Sequence, residues 1–566
     1  MYRDLEALTR QQYDVVVVGG GIYGACIAWD ATLRGLSAAL IEQKDFGHAT
    51  SANSHKVVHG GLRYLQHADL KRMRESIRER TNLMRIAPHL VHPLPCIMPT
   101  YGHLMKGREM MAMALFLNDL ISYDRNRLDD PQKVIPGGKV ISREECLALL
   151  PGIDPGGLTG GAVWYDAQMY NSERLTLAFV RSAAEGGATV ANYLKATGLI
   201  WEDGRVAGVQ AVDQLSEQAG RSLDIRGRIV INATGPWIDA LLREFGVEGD
   251  GVQLGIRLAK GVSIATREIF PQTAAGLSGR SGLNGATDED RLFFITPWHG
   301  RSIIGTTYTL YEQHPDNMTV TVDDVREVLE QVNAVYPPAK LTLDDVSYVF
   351  CGLLPASNVN EETGAVKRAG HYQIRDHAAA GLPGLLSVLG VKYTTARDVA
   401  EKVVTRVLDM LQRPAPPTCS DKTPLHGGDI DEFETFVTEE VAKNRLNLPP
   451  EQLQPILYNY GSAYPRLLDY LDRKGTMDGD STSYDALLQA QTRYAVHEEM
   501  AQRLDDVIFR RTELHVDDAL DESCLALCAR TMAQEAGWSA EREQAELDRV
   551  KAAIEAMPGL TLQQRT

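Results

Sequence analysis

Cysteine is scarce in this chain and irregularly spaced. Cys26, Cys96, Cys146, Cys351, Cys419, Cys524 and Cys528 are the full set in 566 residues. That excludes a disulfide framework and fits a reducing compartment, so a cytoplasmic location is expected. Cys524 and Cys528 lie four apart on an expected helix, with no histidine or further cysteine close in sequence. They read as small core residues, and no metal site is expected. No run approaches the ~20 apolar residues that a membrane span needs. The best candidate, Met110 to Leu117, is bounded by Glu109 and by Asn118 and Asp119. Positive charge is in deficit: 58 Lys and Arg stand against 75 Asp and Glu, a formal net charge of -17. This argues against a nucleic-acid partner, because phosphate contacts need a basic field. An acidic exterior still admits an anionic substrate to a pocket dominated by a few basic residues. The opening MYRDLEALTRQQ is polar and does not read as a secretory leader. Tandem repeats and low-complexity tracts are missing too.

What is present is an ordinary globular composition, 44% hydrophobic and 23% charged, at a length that suits two or three domains. Tyr13 to Val18 is β-branched and apolar, as a strand covered on both faces is. Glycines follow, then an expected helix from Ile22 to Arg34 ended by Gly35, then a strand from Ser37 to Ile41 closing on Glu42. Further helices are expected over His67 to Ala87, stopped by Pro88, and over Ser172 to Glu185. Strands are expected near Thr189, over Ile229 to Ala233, through much of Gly255 to Tyr308, over Val346 to Leu353 and over Leu385 to Leu389, with a helix beginning near Thr394. Arg413 to Pro417 reads RPAPP, a stiff linker, and the pattern after it is helical.

The first motif is Gly19-Gly20-Gly21-Ile22-Tyr23-Gly24, in which Gly19, Gly21 and Gly24 fill G-x-G-x-x-G between a strand and a helix. Gly19 permits the tight turn, Gly21 admits a pyrophosphate to the backbone, and Gly24 lets helix and strand approach. The helix N-terminus offers free N–H groups to phosphate. Glu42, at the end of the second strand, is placed to bind the adenosine ribose. The fingerprint alone does not separate FAD from NAD. Three later segments favour FAD: the polar loop Ala49-Thr50-Ser51 with Ser54-His55-Lys56, the strand-ending turn Asn232-Ala233-Thr234-Gly235-Pro236-Trp237, and the strand-to-helix junction Gly390-Val391-Lys392-Tyr393-Thr394-Thr395. A helix N-terminus at that junction would favour an anionic reduced flavin.

The segments VVVVGGGIYGACIA, HKVVHGGLRYLQH, INATGPW, SIIGTT, SVLGVKYTTARDVAEK and YAVHEEMAQRLDDVIFRRTEL together resemble the FAD-dependent glycerol-3-phosphate dehydrogenases, within the amine- and sarcosine-oxidase-like flavoproteins. The resemblance runs through nearly all of the chain. It implies an α/β fold with a Rossmann-type FAD-binding domain (1–90, 160–250 and 355–412) interleaved with a mixed-sheet substrate domain (91–159 and 251–354). An all-α C-terminal domain follows at 420–560. It also implies oxidation of a secondary alcohol of a polyol phosphate to a ketone, with hydride passing to the flavin and electrons going on to a quinone, or to oxygen in oxidase relatives. By the same resemblance Arg63, Tyr64, Arg368 and Lys392 serve the substrate. Thr50, Ser51, Ser54, His59, Gly60, Gly61, Ala233, Gly235, Gly390, Lys392 and Thr394 join the glycine motif and Glu42 around FAD.

Three positions depart from the family pattern. Gly352-Leu353-Leu354-Pro355 has Leu354 where an arginine is usual, Lys260-Gly261-Val262-Ser263 has Ser263 in place of a histidine, and Gly305-Thr306-Thr307-Tyr308 has Tyr308 in place of an aspartate. Leucine offers no donor where a guanidinium would grip phosphate by two bonds. Either another base such as Lys367 compensates, or the substrate is a different polyol phosphate, another anion or an uncharged polyol. An amino-acid or amine oxidase and a non-catalytic flavin-binding protein are the competing readings. A homodimer is expected, and the Met-rich segment Met105 to Tyr123 is a candidate peripheral contact with the inner face of the cell membrane.

Overall fold

The computed structural model describes residues 1–102, 107–215, 222–247, 249, 251–278, 292–359, 366–445, 448–471, 483–516 and 520–558. Two sheets organise the first three quarters of the chain. In the first, Tyr13–Val18 runs parallel to Ala38–Ile41 on one side and to the end of Ser222–Asn232 on the other, with Val16 opposite Ala39 and Val230. Leu385–Leu389 and Thr189–Ala191 extend this parallel core outward. Central strands of this kind are covered on both faces, which is why Tyr13–Val18 is apolar at nearly every position. The helix Ile22–Leu33 is apolar all round for the same reason, and it packs between the helices Ser172–Glu185 and Ala396–Met410.

The second sheet has ten strands. Its path runs Val366–Arg368, Val346–Val359, Arg257–Arg267, Arg301–Tyr311, Leu292–Trp298, Ala274–Ser278, Val91–Tyr101, Leu158–Met169 and Val57–Val58, with Lys139–Ile141 also paired to Leu158–Met169. The period-2 alternation of Arg257–Arg267 decides what each face does. Val262 and Ile264 point into a core with Val325 and Val328 of the helix Val322–Val335. Gly261 and Ser263 point the other way.

Sheet membership cuts across the expected segments. Val57–Val58, all of Leu158–Met169 and Val366–Arg368 belong to the ten-stranded sheet, not with the dinucleotide half. Val57–Val58 and Leu158–Met169 pair with strands far off in sequence, so composition gave no sign of which sheet would take them, whereas Val366–Arg368 turns back on the preceding strand Val346–Val359. The opening residues include a short helix, Leu5–Arg10, capped by Asp4. The helix expected over His67 to Ala87 is a 3-10 turn, Leu62–His67, followed by the α-helix Leu70–Ile86, with Asp69 as its cap. After residue 417 every described element is helical, around two apolar clusters. Both Cys524 and Cys528 are buried there. Lys260 lies on the helix-covered face of its strand and pairs with Asp324 at 2.6 Å.

Candidate active site

The three motif glycines are held by different constraints. Gly19 has φ +109, and a Cβ there would stand 2.7 Å from the Ala233 carbonyl oxygen. At Gly24 a Cβ would overlap the Gly19 carbonyl, so helix and strand meet only because this residue is glycine. Gly21 is unlike both. Its backbone is ordinary (φ -75, ψ 178), and a Cβ would meet only Ser51 Oγ, at 3.3 Å. Nothing in the chain's own packing demands glycine there, whereas close approach of a dinucleotide does. Ser51 Oγ accepts from the Ile22 N–H at 3.0 Å, holding the polar loop over the helix start. Glu42 accepts from the Gly20 N–H at 2.7 Å and the Lys44 N–H at 2.9 Å, so its carboxylate is fixed beside the glycine turn. These residues fit FAD. Gly21→Val is expected to yield a folded protein without visible flavin absorbance, while Gly24→Val is expected not to fold. A yellow, folded Gly21→Val protein would remove the dinucleotide from this loop.

Tyr23 of the glycine motif reaches the junction at 390. A Cβ on Gly390 would overlap the Tyr23 ring, and the Tyr23 hydroxyl donates to the Lys392 carbonyl at 2.7 Å. Lys392 Nζ lies 4.1 Å from the centre of the Tyr64 ring, which Arg72 approaches to 5.0 Å. Burial lowers the Lys392 ammonium to about 8. Thr394 and Thr395 are buried, and the helix Ala396–Met410 starts there without a side-chain cap, its Ala396 N–H donating to the Tyr393 carbonyl at 3.1 Å. Gly61 adopts φ +85 before the turn that carries Arg63 and Tyr64, and Arg63 is exposed on that turn. His59 and the Gly60 N–H share the buried Asp166, at 3.0 and 2.7 Å. Burial pushes the Asp166 carboxyl up, but His59, Arg80 and the Gly60 N–H together hold it below the usual range.

The three departures meet on the face of the ten-stranded sheet turned away from the helix Val322–Val335. A Cβ on Gly261 would touch Leu354, Tyr308 and Thr306, each at 3.2–3.3 Å, so these side chains surround a glycine floor. Arg368 lies over the Tyr308 ring at 4.8 Å. Thr50 Oγ1 donates to the Leu353 carbonyl at 2.9 Å, joining the polar loop after Glu42 to this strand. The Lys367 side chain lies outside the described residues, as does the start of the Met-rich segment at Met105.

Other parts of the sequence expectation resolve differently. Ser54 accepts from its own Lys56 N–H at 3.2 Å, and Lys56 is fully buried on Glu173 at 2.6 Å. That lysine serves the packing of the loop, since a buried ammonium persists only when paired. Gly235 (φ +56) begins a short turn whose Trp237 donates to Asp316 at 2.9 Å, near the cofactor strand end but spent on joining the two sheets. Sequence reasoning missed Tyr23, Asp45 and Asp166. Asp45 is buried against Arg510 (2.6 Å) and Arg511 (2.8 Å) of the C-terminal domain, and Gly47 of the same loop donates to the Gly20 carbonyl at 3.0 Å.

The folded layout is that of a flavin-dependent oxidoreductase, with a dinucleotide half feeding a substrate sheet. A family model described as FAD dependent oxidoreductase matches residues 14–397, and one described as the C-terminal domain of alpha-glycerophosphate oxidase matches 418–543. The glycerol-3-phosphate dehydrogenase of Synechocystis is 31% identical over 95% of this chain and 96% of its own. The alpha-glycerophosphate oxidase of Streptococcus pyogenes is 28% identical, covering 97% and 96%. The crystal structure of a Bacillus halodurans glycerol-3-phosphate dehydrogenase complexed with FAD superimposes with a TM-score of 0.76 at 26% identity, covering 98% of this chain and 96% of that one. The chain belongs to the FAD-dependent glycerol-3-phosphate dehydrogenase family.

Proposed function

We propose that this protein oxidises the secondary alcohol of glycerol 3-phosphate or a related polyol phosphate to the ketone and passes the electrons to a quinone. When bound, FAD supplies the two-electron oxidant. The observation that carries the reading is Lys392, a half-desolvated cation on the Tyr64 ring at the junction that Tyr23 clamps to the glycine motif. A cation so placed binds an anion with little reorganisation. Arg368, over the Tyr308 ring beside the Gly261 floor, is a second candidate cation for the substrate anion. Full-length relatives named for glycerol 3-phosphate support the substrate class.

The test is an anaerobic flavin-bleaching screen over polyol phosphates, free polyols and amino acids. Bleaching by polyol phosphates alone is the expected result, and bleaching by amino acids alone would sink the reading. Because Lys392 titrates at about 8, its charge is present below that pH and lost above it. kcat/KM for a phosphate substrate should therefore fall as pH rises through 8, and a flat profile would take Lys392 out of anion binding.

Membrane contact belongs to the same proposal. No described helix is long and apolar enough to cross a bilayer. The helix Arg108–Ile121 nevertheless leaves Met113, Phe116 and Leu120 more than half exposed, with Tyr123 just beyond it 70% exposed. Large side chains gathered on one helix face mark a contact surface. A peripheral site on the cytoplasmic leaflet would bring reduced flavin to quinone. Met113→Glu/Phe116→Glu is expected to abolish vesicle binding and leave turnover with a soluble dye acceptor unchanged. If the variant converts a dimer to a monomer instead, the stripe is the homodimer interface.

A further inference from the structure

Tyr23 is the one residue of the glycine motif with a polar side chain, and its hydroxyl is spent on a segment 369 residues away. It donates to the Lys392 carbonyl at 2.7 Å and accepts from the Val391 N–H at 3.2 Å and the Lys392 N–H at 3.3 Å. A phenol has one hydrogen and two lone pairs, and these three contacts match them. Burial raises the Tyr23 pKa to about 12, so the hydroxyl keeps the proton it donates. The ring is fitted to the same segment. A Cβ on Gly390 would stand 2.0 Å from it, so glycine at 390 is the condition for tyrosine at 23. The residue after Lys392 is tied as well. Tyr393 Oη donates to the Ser172 carbonyl at 2.8 Å and lies 2.9 Å from Thr176 Oγ1, both on the helix Ser172–Glu185. Lys392 stands between these two ties. Its peptide groups are bound to Tyr23, and its side chain is left to the site, with Nζ on the Tyr64 ring.

We propose that Tyr23 is a positioning residue for the substrate: its hydroxyl fixes the Lys392 backbone, so that the ammonium meets the substrate anion at a set place relative to the dinucleotide. The inference rests on the reading of Lys392 as the anion-binding cation. The need for such a residue lies in lysine itself. An ammonium on four methylenes is a flexible point charge, whereas a guanidinium is oriented by its own fork. A charge of that kind orients a ligand only if its stem starts from a fixed point and its tip has a place to rest. The Tyr23 hydroxyl supplies the first and the Tyr64 ring the second. The tie also spans the two halves of the site. Tyr23 lies on the helix Ile22–Leu33, two residues past Gly21, while Lys392 lies between the strand Leu385–Leu389 and the helix Ala396–Met410. A cofactor on the glycine turn and an anion on Lys392 are thereby referred to one side chain. Orientation of this kind governs how often the reacting atoms meet. Tyr23 acts through Lys392 throughout.

Four proteins are compared as holoenzymes with the polyol phosphate that bleaches the unmodified flavin: unmodified, Tyr23→Phe, Lys392→Met, and the double variant. Tyr23→Phe keeps the ring over Gly390 and loses only the hydroxyl. It is expected to keep its flavin content and to lower kcat/KM by about tenfold or more, the size of one weakened bond to a charged group. In the Lys392→Met background the same substitution is expected to change kcat/KM by less than about twofold, a non-additivity that sites acting separately do not show. A readout without turnover is the pH midpoint for acetylation of Lys392 by acetic anhydride, followed by mass spectrometry of its peptide. Burial sets that midpoint at about 8 in the unmodified protein. Tyr23→Phe is expected to move it up toward the ordinary lysine value of about 10.4, as the freed side chain reaches water. An unchanged midpoint, a kcat/KM within about twofold of the unmodified protein, or an equal loss in both backgrounds overturns the inference. So does loss of flavin from a folded Tyr23→Phe protein, because the hydroxyl would then serve the cofactor seat. Should Tyr23→Phe not fold, Tyr23→Thr/Gly390→Ala, whose added methyl takes up part of the ring's space, decides by the same measurements. Bleaching by no polyol phosphate overturns the functional reading and this inference with it. A Lys392→Met with undiminished kcat/KM overturns the reading of Lys392, and the inference falls too. A slow Lys392→Met beside an unimpaired Tyr23→Phe overturns the inference only.

Discussion

Arg511→Met is expected to loosen the C-terminal domain from the dinucleotide loop and to release flavin well before the rest of the protein unfolds. Arg511 is 1% exposed and grips Asp45 through two bonds of 2.8 Å, and Asp45 is itself fully buried. Arg510 adds a third bond to Asp45 at 2.6 Å. The loop that Asp45 anchors also holds the Gly20 carbonyl through the Gly47 N–H. Removing one partner of a buried ion pair typically costs about 3–5 kcal/mol, because the remaining charge keeps its desolvation penalty. The low end of that range is expected here, since Arg510 still partly neutralises Asp45. Burial pushes the Asp45 carboxyl up, but Arg511 and Arg510 outweigh it and hold the group far below the usual range. The stabilisation is therefore fully present above the ordinary carboxylate pKa and is lost only as pH falls below it. Urea titration with flavin fluorescence and far-UV circular dichroism checks the claim. Flavin release and unfolding should coincide in the unmodified protein and separate in Arg511→Met. If they stay together at an unchanged midpoint, the C-terminal domain is not a clamp on the cofactor loop.

That clamp was invisible in the sequence for a physical reason. Asp45 and Arg511 lie 466 residues apart, and nothing local to either marks a buried pair. What was legible is what short-range physics dictates. The apolar run Tyr13–Val18, the helix Ser172–Glu185 and the strand Leu385–Leu389 follow from periodicity over a few residues. Gly19 and Gly24 follow from a turn and a close packing within six residues. Tyr23 sits inside the same motif, yet its role depends on Gly390, which only the tertiary fold brings beneath its ring. The polar loop after Glu42 read as one cofactor-facing unit, and the fold divides it. Ser51 caps the glycine helix, Thr50 holds the Leu353 carbonyl, His55 faces Ser263, and Lys56 is buried on Glu173. A side chain's direction within a loop is set by what packs on each side, and composition does not encode it. The departures Leu354, Ser263 and Tyr308 were visible singly. Their convergence with Thr306 and His55 on one sheet face needed the register of three strands.

Leu354→Arg is expected to raise kcat/KM for glycerol 3-phosphate by about 10²-fold, provided that Leu354 has removed one of the family's phosphate contacts. A hydrogen bond to a charged group contributes about 1.5–3 kcal/mol, and a guanidinium placed here would make two. The structure adds a condition. Leu354 stands against the Gly261 floor beside Tyr308, and Arg368 already covers the Tyr308 ring. A new arginine would sit near that cation without a carboxylate to fix it, since Tyr308 occupies the family's aspartate position. The double variant Leu354→Arg/Tyr308→Asp restores an opposite charge beside the guanidinium and is expected to exceed the single variant. Arg368→Ala should lower kcat/KM for any phosphate substrate and spare an uncharged polyol, because only the anion uses its charge. The deciding measurement is kcat/KM of the unmodified protein with glycerol 3-phosphate. A value above about 10⁴ M⁻¹s⁻¹, within the ordinary enzymatic range, would show that Arg368 and Lys392 suffice for the phosphate, and Leu354→Arg would then bring no gain. A low value, raised by Leu354→Arg and raised further by the double variant, would show that this pocket has moved to a substrate whose anion, if it has one, lies elsewhere than on the Gly261 floor.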